Sequence, residues 1–179
     1  MHTITFPFQS FPELKTPRLL LRDLSEEDYQ MMFFLRSDTT VNAYIKREGA
    51  KKLEDAIDFM NMVQHGYEKG DNINWAISKK EDQKMIGSIC LWNFSEDLKT
   101  AEVGYSLHPE YQQQGIMNEA MKAIITFGFT VLNFDRLVAY THHANLSSLQ
   151  LLKKNGFILQ EEITDPGDEN NIVLALDKD

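Results

Sequence analysis

The stretch from Ala101 to Leu132 constrains the chain most. It opens with Ala101-Glu102-Val103-Gly104-Tyr105-Ser106-Leu107, which reads as a strand and is closed by His108-Pro109. The polar loop Tyr111-Gln112-Gln113-Gln114-Gly115 follows, and an apolar helical pattern then runs from Ile116 to Leu132. A strand that turns through such a loop into a helix leaves the first helical N–H groups without carbonyl partners. Together they form a positive pocket suited to a phosphate or pyrophosphate. On bare spacing, Gln112-x-x-Gly115-x-Met117 is more often an ordinary turn. The context strengthens the ligand reading: Pro109 breaks the strand, and Gly115 opens the helix where backbone must approach a ligand closely.

The rest of the chain reads as alternating elements. Thr16 to Arg22 is a first strand, and Ser25-Glu26-Glu27-Asp28 starts a helix that carries Tyr29, Met32, Phe33 and Leu35. A second short helix is expected over Thr39 to Ile45. Lys51 to Lys69 is a longer one, with Ala56, Met60, Val63 and Tyr67 on one face and Gly70 as its stop. Ile73 to Ser78, Met85 to Phe94 and Thr100 to Leu107 form an antiparallel meander. In the helix after Gly115, Asn118, Lys122, Thr126 and Thr130 make one wet edge. Arg136 to Thr141 is a strand. Asn145 caps a helix to Lys154 with Gly156 as its stop, and the strands Phe157 to Thr164 and Asn171 to Leu176 close the chain. The order predicts an α+β (mixed α/β) fold: one mostly antiparallel sheet of about seven strands with helices on both faces.

Composition narrows the function. With 179 residues, no Ser/Gly/Pro-rich linker and no repeat, residues 1–179 are expected to form one domain. The net charge of −9 disfavours nucleic acid as a partner and modestly attracts a cationic acceptor such as a basic peptide or polyamine. The start, Met1 to Pro7, lacks the pattern of a signal peptide, and the apolar run Met121 to Phe134 is too short and polar to span a bilayer. A cytoplasmic protein without membrane contact is expected. The single cysteine, Cys90, excludes an intrachain disulfide and reads as a small core residue. No residue spacing suggests a metal site.

A second segment follows the loop: Asn145-Leu146-Ser147-Ser148, then Leu151-Leu152-Lys153-Lys154-Asn155-Gly156-Phe157. With the loop it resembles the GNAT superfamily of acetyl-CoA-dependent N-acetyltransferases, whose signatures are Gln/Arg-x-x-Gly-x-Gly/Ala and a later Asn-x-x-Ser/Ala helix ending in Gly-Phe. Thr16-Pro17-Arg18-Leu19-x-Leu21-Arg22, Ile86-Gly87-Ser88-Ile89 and Ala101 to Tyr105 resemble the branch that acetylates ribosomal-protein N-termini. The resemblance covers about residues 16–176 and departs at Met117, where the signature ends in a small residue. Met117 can turn into the core and leave the backbone N–H groups facing inward.

The resemblance implies acetyl-CoA as cosubstrate and a primary amine as acceptor, first a protein N-terminus, then a polyamine or an aminoglycoside-like compound. It is also compatible with a homodimer. The diphosphate is expected on Gln112, Gln113, Gln114, Gly115, Ile116, Met117 and Asn118. The pantetheine and thioester carbonyl are expected against Tyr105, Ser106 and Leu107, where Gly104 would permit a freeing bulge, with Asn145 and Ser148 opposite. Glu102 is the candidate base, as readily a surface carboxylate on spacing alone; His142, His143 or bulk water are the alternatives. Ser148 is the candidate proton donor to the departing thiolate, since the family's helical tyrosine position is Leu152. Asn145, Ser148 and Leu152 share one helical face. His142 and His143, as strand neighbours, are expected on opposite faces. Tyr44, Trp75, Trp92 and Asn93 are candidate walls of the acceptor pocket. A CoA-binding module without turnover is the rival from another class.

Overall fold

A computed structural model describes Thr5, Phe6 and residues 8–179. The remaining part of the Met1–Pro7 stretch, read above for a leader, lies outside the described residues. The strands are β1 (Leu14–Lys15), β2 (Leu19–Arg22), β3 (Ile73–Lys79), β4 (Met85–Trp92), β5 (Thr100–Leu107), β6 (Arg136–His142), β7 (Ile158–Leu159) and β8 (Asn171–Asp177). The helices are α1 (Tyr29–Ser37), α2 (Leu53–Lys69), α3 (Ile116–Thr130) and α4 (Leu146–Lys154). One eight-stranded sheet runs β1-β2-β3-β4-β5-β6-β8-β7. All its neighbours are antiparallel except β5 and β6.

Strand alternation decides which residues meet which helices. On one face Leu19, Leu21, Trp75, Ile89, Leu91, Ala101 and Val103 pack with Ile116, Met121, Ile124 and Phe127 of α3 and Leu152 of α4. On the other, Ala76 and Met85 pack with Met32 and Leu35 of α1 and Ala56 and Met60 of α2. Helices therefore cover both faces, and the mixed α+β expectation is met with eight strands where about seven were expected. The wet edge of α3 is present: Lys122, Thr126 and Thr130 are exposed. The hydroxyls of Thr126 and Thr130 donate to the carbonyls of Lys122 and Thr126, four residues back.

Three local expectations are corrected. Residues 39–45 form turns, not a helix, because the Asp38 carboxylate takes the N–H groups of Thr40 and Val41, and the Asn42 amide donates to the carbonyls of Leu35 and Asp38. The strand expected over 157–164 shrinks to Ile158–Leu159, after which one further backbone bond joins Gln160 to Val173 before the chain turns away. No bulge occurs at Gly104: β4 and β5 stay in register from Gly87–Leu107 to Trp92–Glu102. Gly104 has another purpose. A Cβ there would lie 3.0 Å from the Cys90 sulfur on the neighbouring strand.

The feature that positions the site is where β5 and β6 part. They pair in parallel at Thr100–Arg136, Ala101–Leu137 and Glu102–Val138, and the pairing stops there. Beyond it β5 stays with β4 and β6 with β8, so residues 103–107 and 139–142 flank a split between the two halves of the sheet.

Candidate active site

The loop after β5 is built by its own side chains. The Gln112 amide donates to the Leu107 carbonyl at 3.0 Å, and that of Gln114 donates to Glu110 at 2.6 Å. Gln113 and Gly115 adopt left-handed backbone, at φ of 58° and 76°. Gly115 bears this at no steric cost, while Gln113 does so under strain. Among the described residues no carbonyl or side chain receives the N–H groups of Gln113 to Met117. These donors, at the head of the fifteen-residue α3, are the helix-terminus arrangement that binds phosphate. Ile116 is buried and Met117 packs against the core, so the departure at Met117 leaves the loop open. Asn118 faces elsewhere: its side-chain oxygen accepts from Asn155 at the end of α4, at 3.0 Å.

Arg18 also stands at this loop, and it lies outside the cofactor set expected from sequence. Its guanidinium Nη1 donates to the Gln114 carbonyl at 3.0 Å, its Nε pairs with Glu119 at 2.7 Å, and its Nη2 lies 3.4 Å from where a Cβ on Gly115 would be. Burial of Glu119 opposes ionisation, yet the Thr16 hydroxyl and the Arg18 N–H and guanidinium outweigh it and hold the carboxyl below its usual range. The signal was present in Thr16-Pro17-Arg18, but about a hundred residues separate it from the loop, and only the fold shows that β2 borders α3.

Around the split, one set of groups lies on the α3–α4 face. Asn145 caps α4 by accepting the Ser148 N–H at 3.2 Å, as its residue type predicts. Ser148 is buried, accepts a hydrogen bond from the Thr141 hydroxyl at 2.9 Å, and lies 2.7 Å from the Tyr105 phenol oxygen. Burial pushes the Tyr105 phenol up to about 12, against the lowering effect of its bond to Ser148. Leu152 is fully buried behind them. Ser106 points to the opposite face, 3.1 Å from the Ser88 hydroxyl; Leu107 is buried in the core.

The opposite face carries the acid. Glu102 sits beside Trp92 and Val138 in register, and its carboxylate accepts from the Asn93 amide at 3.1 Å. Burial pushes Glu102 up to about 7; the Asn93 bond pulls it down, and the nearby Asp165 charge raises it further. The Tyr140 phenol is raised by burial and by the charges of Glu102 and Asp165. Trp92 is 45% exposed, whereas Trp75 is core, its indole donating to the Pro12 carbonyl. At the end of β6 a hollow of about 250 Å³ is lined by Tyr44, Lys46, His142, Asp168 and Asn170 among others.

The two histidines need correction. His142 ends β6 and His143 lies in the turn, so strand alternation no longer separates them, and their rings stack at 4.6 Å. The His142 Nδ1 accepts the Ala144 N–H, which removes it as a base through that nitrogen. Among the described residues no group of three or more His, Cys, Asp or Glu side chains could hold a metal ion, and no helix is long and apolar enough to cross a membrane.

A sheet that splits between parallel strands, with a loop of unpaired N–H groups at the head of α3, has room for an extended ligand that carries a phosphate. The acetyltransferase (GNAT) domain matches residues 18–158, and the chain belongs to that family. It is 30% identical over 147 residues to the uncharacterized N-acetyltransferase YoaA of Bacillus subtilis, covering 82% of this chain and 83% of that one. It is 34% identical over 103 residues to the ribosomal-protein-serine acetyltransferase of Escherichia coli, covering 54% and 57%. The Escherichia coli spermidine N(1)-acetyltransferase is 25% identical over 143 residues, covering 80% and 74%. Among solved structures, the ribosomal L7/L12 alpha-N-protein acetyltransferase RimL in complex with coenzyme A superposes with a TM-score of 0.80 over 93% of this chain and 98% of that one, at 18% identity. The chain is an acetyl-CoA-dependent N-acetyltransferase.

Proposed function

We propose that the chain moves the acetyl group of acetyl-CoA directly onto the α-amino group of a protein N-terminus, first that of a ribosomal protein. The diphosphate lies on the N–H groups of Gln113 to Met117, and the pantetheine arm runs into the split between 103–107 and 139–142. Glu102 takes the proton of the attacking amine, and Ser148 faces the departing sulfur. As the C–N bond forms and the C–S bond breaks, the amine proton passes to the Glu102 carboxylate and the electron pair leaves with the sulfur.

The observation that carries this reading is the place of Glu102 at the last β5–β6 pair, where the sheet opens, with its carboxyl raised by burial toward neutrality. An α-amine has a reference pKa of about 7.7–8.0, against about 10.4 for lysine. A carboxyl raised toward neutrality suits the first better than the second. Burial alone would not make the carboxylate catalytic; its place beside the end of the β5–β6 pairing supports that role. A polyamine is the second reading: the Asp165 charge acts on Glu102, and two such acids would attract a multiply charged acceptor.

The test is a mass-shift screen with acetyl-CoA over N-terminal peptides of ribosomal proteins, the same peptides with blocked N-termini, and spermidine. A gain of one acetyl on free N-termini alone supports the first reading. Acetylation of spermidine in preference to every peptide overturns it in favour of the second.

A further inference from the structure

Continued in register, a parallel β5–β6 pair would set Tyr105 opposite Thr141, since each lies three residues beyond the last pair, Glu102–Val138. The strands have parted by then, and Ser148 of α4 bridges the gap with one hydroxyl contact to each. We propose that Tyr105 and Thr141 are positioning residues that fill both acceptor sites of the Ser148 oxygen and so direct its proton into the split, toward the sulfur of the acetyl donor. This deepens the reading of Ser148 given above and rests on it.

A serine hydroxyl has two lone pairs and one proton. Thr141 donates to Ser148 at 2.9 Å. At the 2.7 Å contact between Tyr105 and Ser148 either oxygen could donate. A phenol is the better donor and an aliphatic hydroxyl the better acceptor, which assigns the proton to Tyr105. Because burial pushes the phenol up to about 12, it stays protonated wherever the enzyme works and donates without interruption. With both lone pairs engaged, the remaining proton cannot turn back toward either strand. It faces the split, where it stabilises the charge on the departing sulfur by a hydrogen bond. Two neutral donors from the two strands thus hold Ser148 in the role that α4 has no tyrosine at Leu152 to fill. An oxygen held by two donors also resists the reorientation that a lone serine would undergo.

Single-turnover rates on one acceptor peptide test this in Thr141→Val, Tyr105→Phe and Ser148→Ala, each checked for folding by its melting temperature. Thr141→Val and Tyr105→Phe are each expected to slow acetyl-CoA turnover about tenfold with donor KM changed less than about twofold, and Thr141→Ser to restore it. The selenoester analogue of acetyl-CoA, whose selenolate is the better leaving group, is expected to bring both variants within about twofold of wild type. Adding Thr141→Val to Ser148→Ala is expected to slow nothing further, because the two act through one proton. Equal loss with thioester and selenoester, loss seen only in KM, or unchanged rates in both variants beside a slow Ser148→Ala overturns the positioning role alone. Wild-type rates in Ser148→Ala would instead sink the underlying reading of Ser148.

Discussion

The two faces of β5 at the split differ in how completely their polar groups are paired. On the α3–α4 side, the half-buried Tyr105 and the buried Thr141 and Ser148 join three hydroxyls in a cluster without a charge. On the other side, Glu102 brings a carboxylate into a largely desolvated place and receives one side-chain hydrogen bond, from Asn93. A neutral network held from two strands fixes geometry, whereas an under-compensated acid keeps a proton affinity well above its usual range. One strand thus presents alignment on one face and proton chemistry on the other, and its alternation keeps the two apart.

The largest effect is expected where the comparison is broken at its charge. Glu102→Gln keeps the shape and the Asn93 contact while removing the base. kcat/KM is expected to fall by about 10²–10⁴-fold. In the wild type kcat/KM is expected to climb as pH rises through about 7, where Glu102 loses its proton, and Glu102→Gln is expected to lose that inflection. Stability is expected to move the other way. The Glu102 carboxyl is raised from 4.5 to about 7, so between these values the folded state holds more protons than the unfolded one. Stability therefore declines as pH rises across that window, and above it the full penalty of the buried charge is present. At pH 8 Glu102→Gln is expected to be more stable than wild type, by something of order 1–3 kcal/mol in thermal or denaturant unfolding. A residue whose removal costs activity and adds stability is held for function.

The next effect falls on the donor loop. Gly115→Ala places a side chain on left-handed backbone and 3.4 Å from the Arg18 guanidinium. Left-handed backbone costs a non-glycine residue about 1–2 kcal/mol, and relief of that strain would displace the N–H groups beside it. Acetyl-CoA is expected to bind about tenfold more weakly by calorimetry, with the acceptor KM unchanged. An unchanged donor Kd would show that the diphosphate does not rest on this loop.

Arg18→Gln gives a smaller loss that sharpens the same point. The chain carries a net charge of −9 and must hold a polyanionic cosubstrate. Arg18 offsets the Glu119 carboxylate in the first turns of α3 and pins the Gln114 carbonyl. Acetyl-CoA affinity is expected to fall about three- to tenfold, with the loss shrinking as salt is added, because Arg18 is half exposed. S-acetylpantetheine, which lacks the phosphates, is expected to show no difference between variant and wild type in a competition assay.

Local chemistry made some of the fold and site legible in sequence. Pro109, the glutamines and Gly115 announced the strand–loop–helix unit, and Asn145 announced the start of α4, because breakers and caps act on neighbouring backbone. Contacts set by topology stayed hidden. Arg18 reaches the loop only because β2 borders α3, and the Tyr105–Ser148–Thr141 bridge exists only because β5 and β6 part after Glu102. The turns over 39–45 were misread for a different reason: the Asp38 and Asn42 side chains compete for backbone groups that a helix would have used. The strand over 157–164 was overextended because its neighbour β8 accepts its pairing only as far as Gln160.

Cys90 gives the smallest expected effect, and it tests whether the acetyl group moves in one step. Its sulfur lies on the Glu102 side of the sheet, next to Gly104, so a covalent acetyl-cysteine would be the obvious detour. The residue as a whole is only partly buried, but its sulfur is closely surrounded, and burial pushes the thiol up to about 12. The Gly104 backbone bond lowers it, and the Glu102 charge raises it further. A thiol so far above neutral pH supplies almost no thiolate, which is the nucleophilic form. Cys90→Ala is therefore expected to keep kcat within about twofold of wild type and to lose about 1 kcal/mol of stability from the vacated volume. Intact-protein mass spectrometry after mixing with acetyl-CoA alone is expected to show no acetyl adduct. An adduct that vanished in Cys90→Ala and was discharged by added acceptor would replace direct attack with a two-step transfer, and would change the role of Glu102 from base for the amine to base for the thiol.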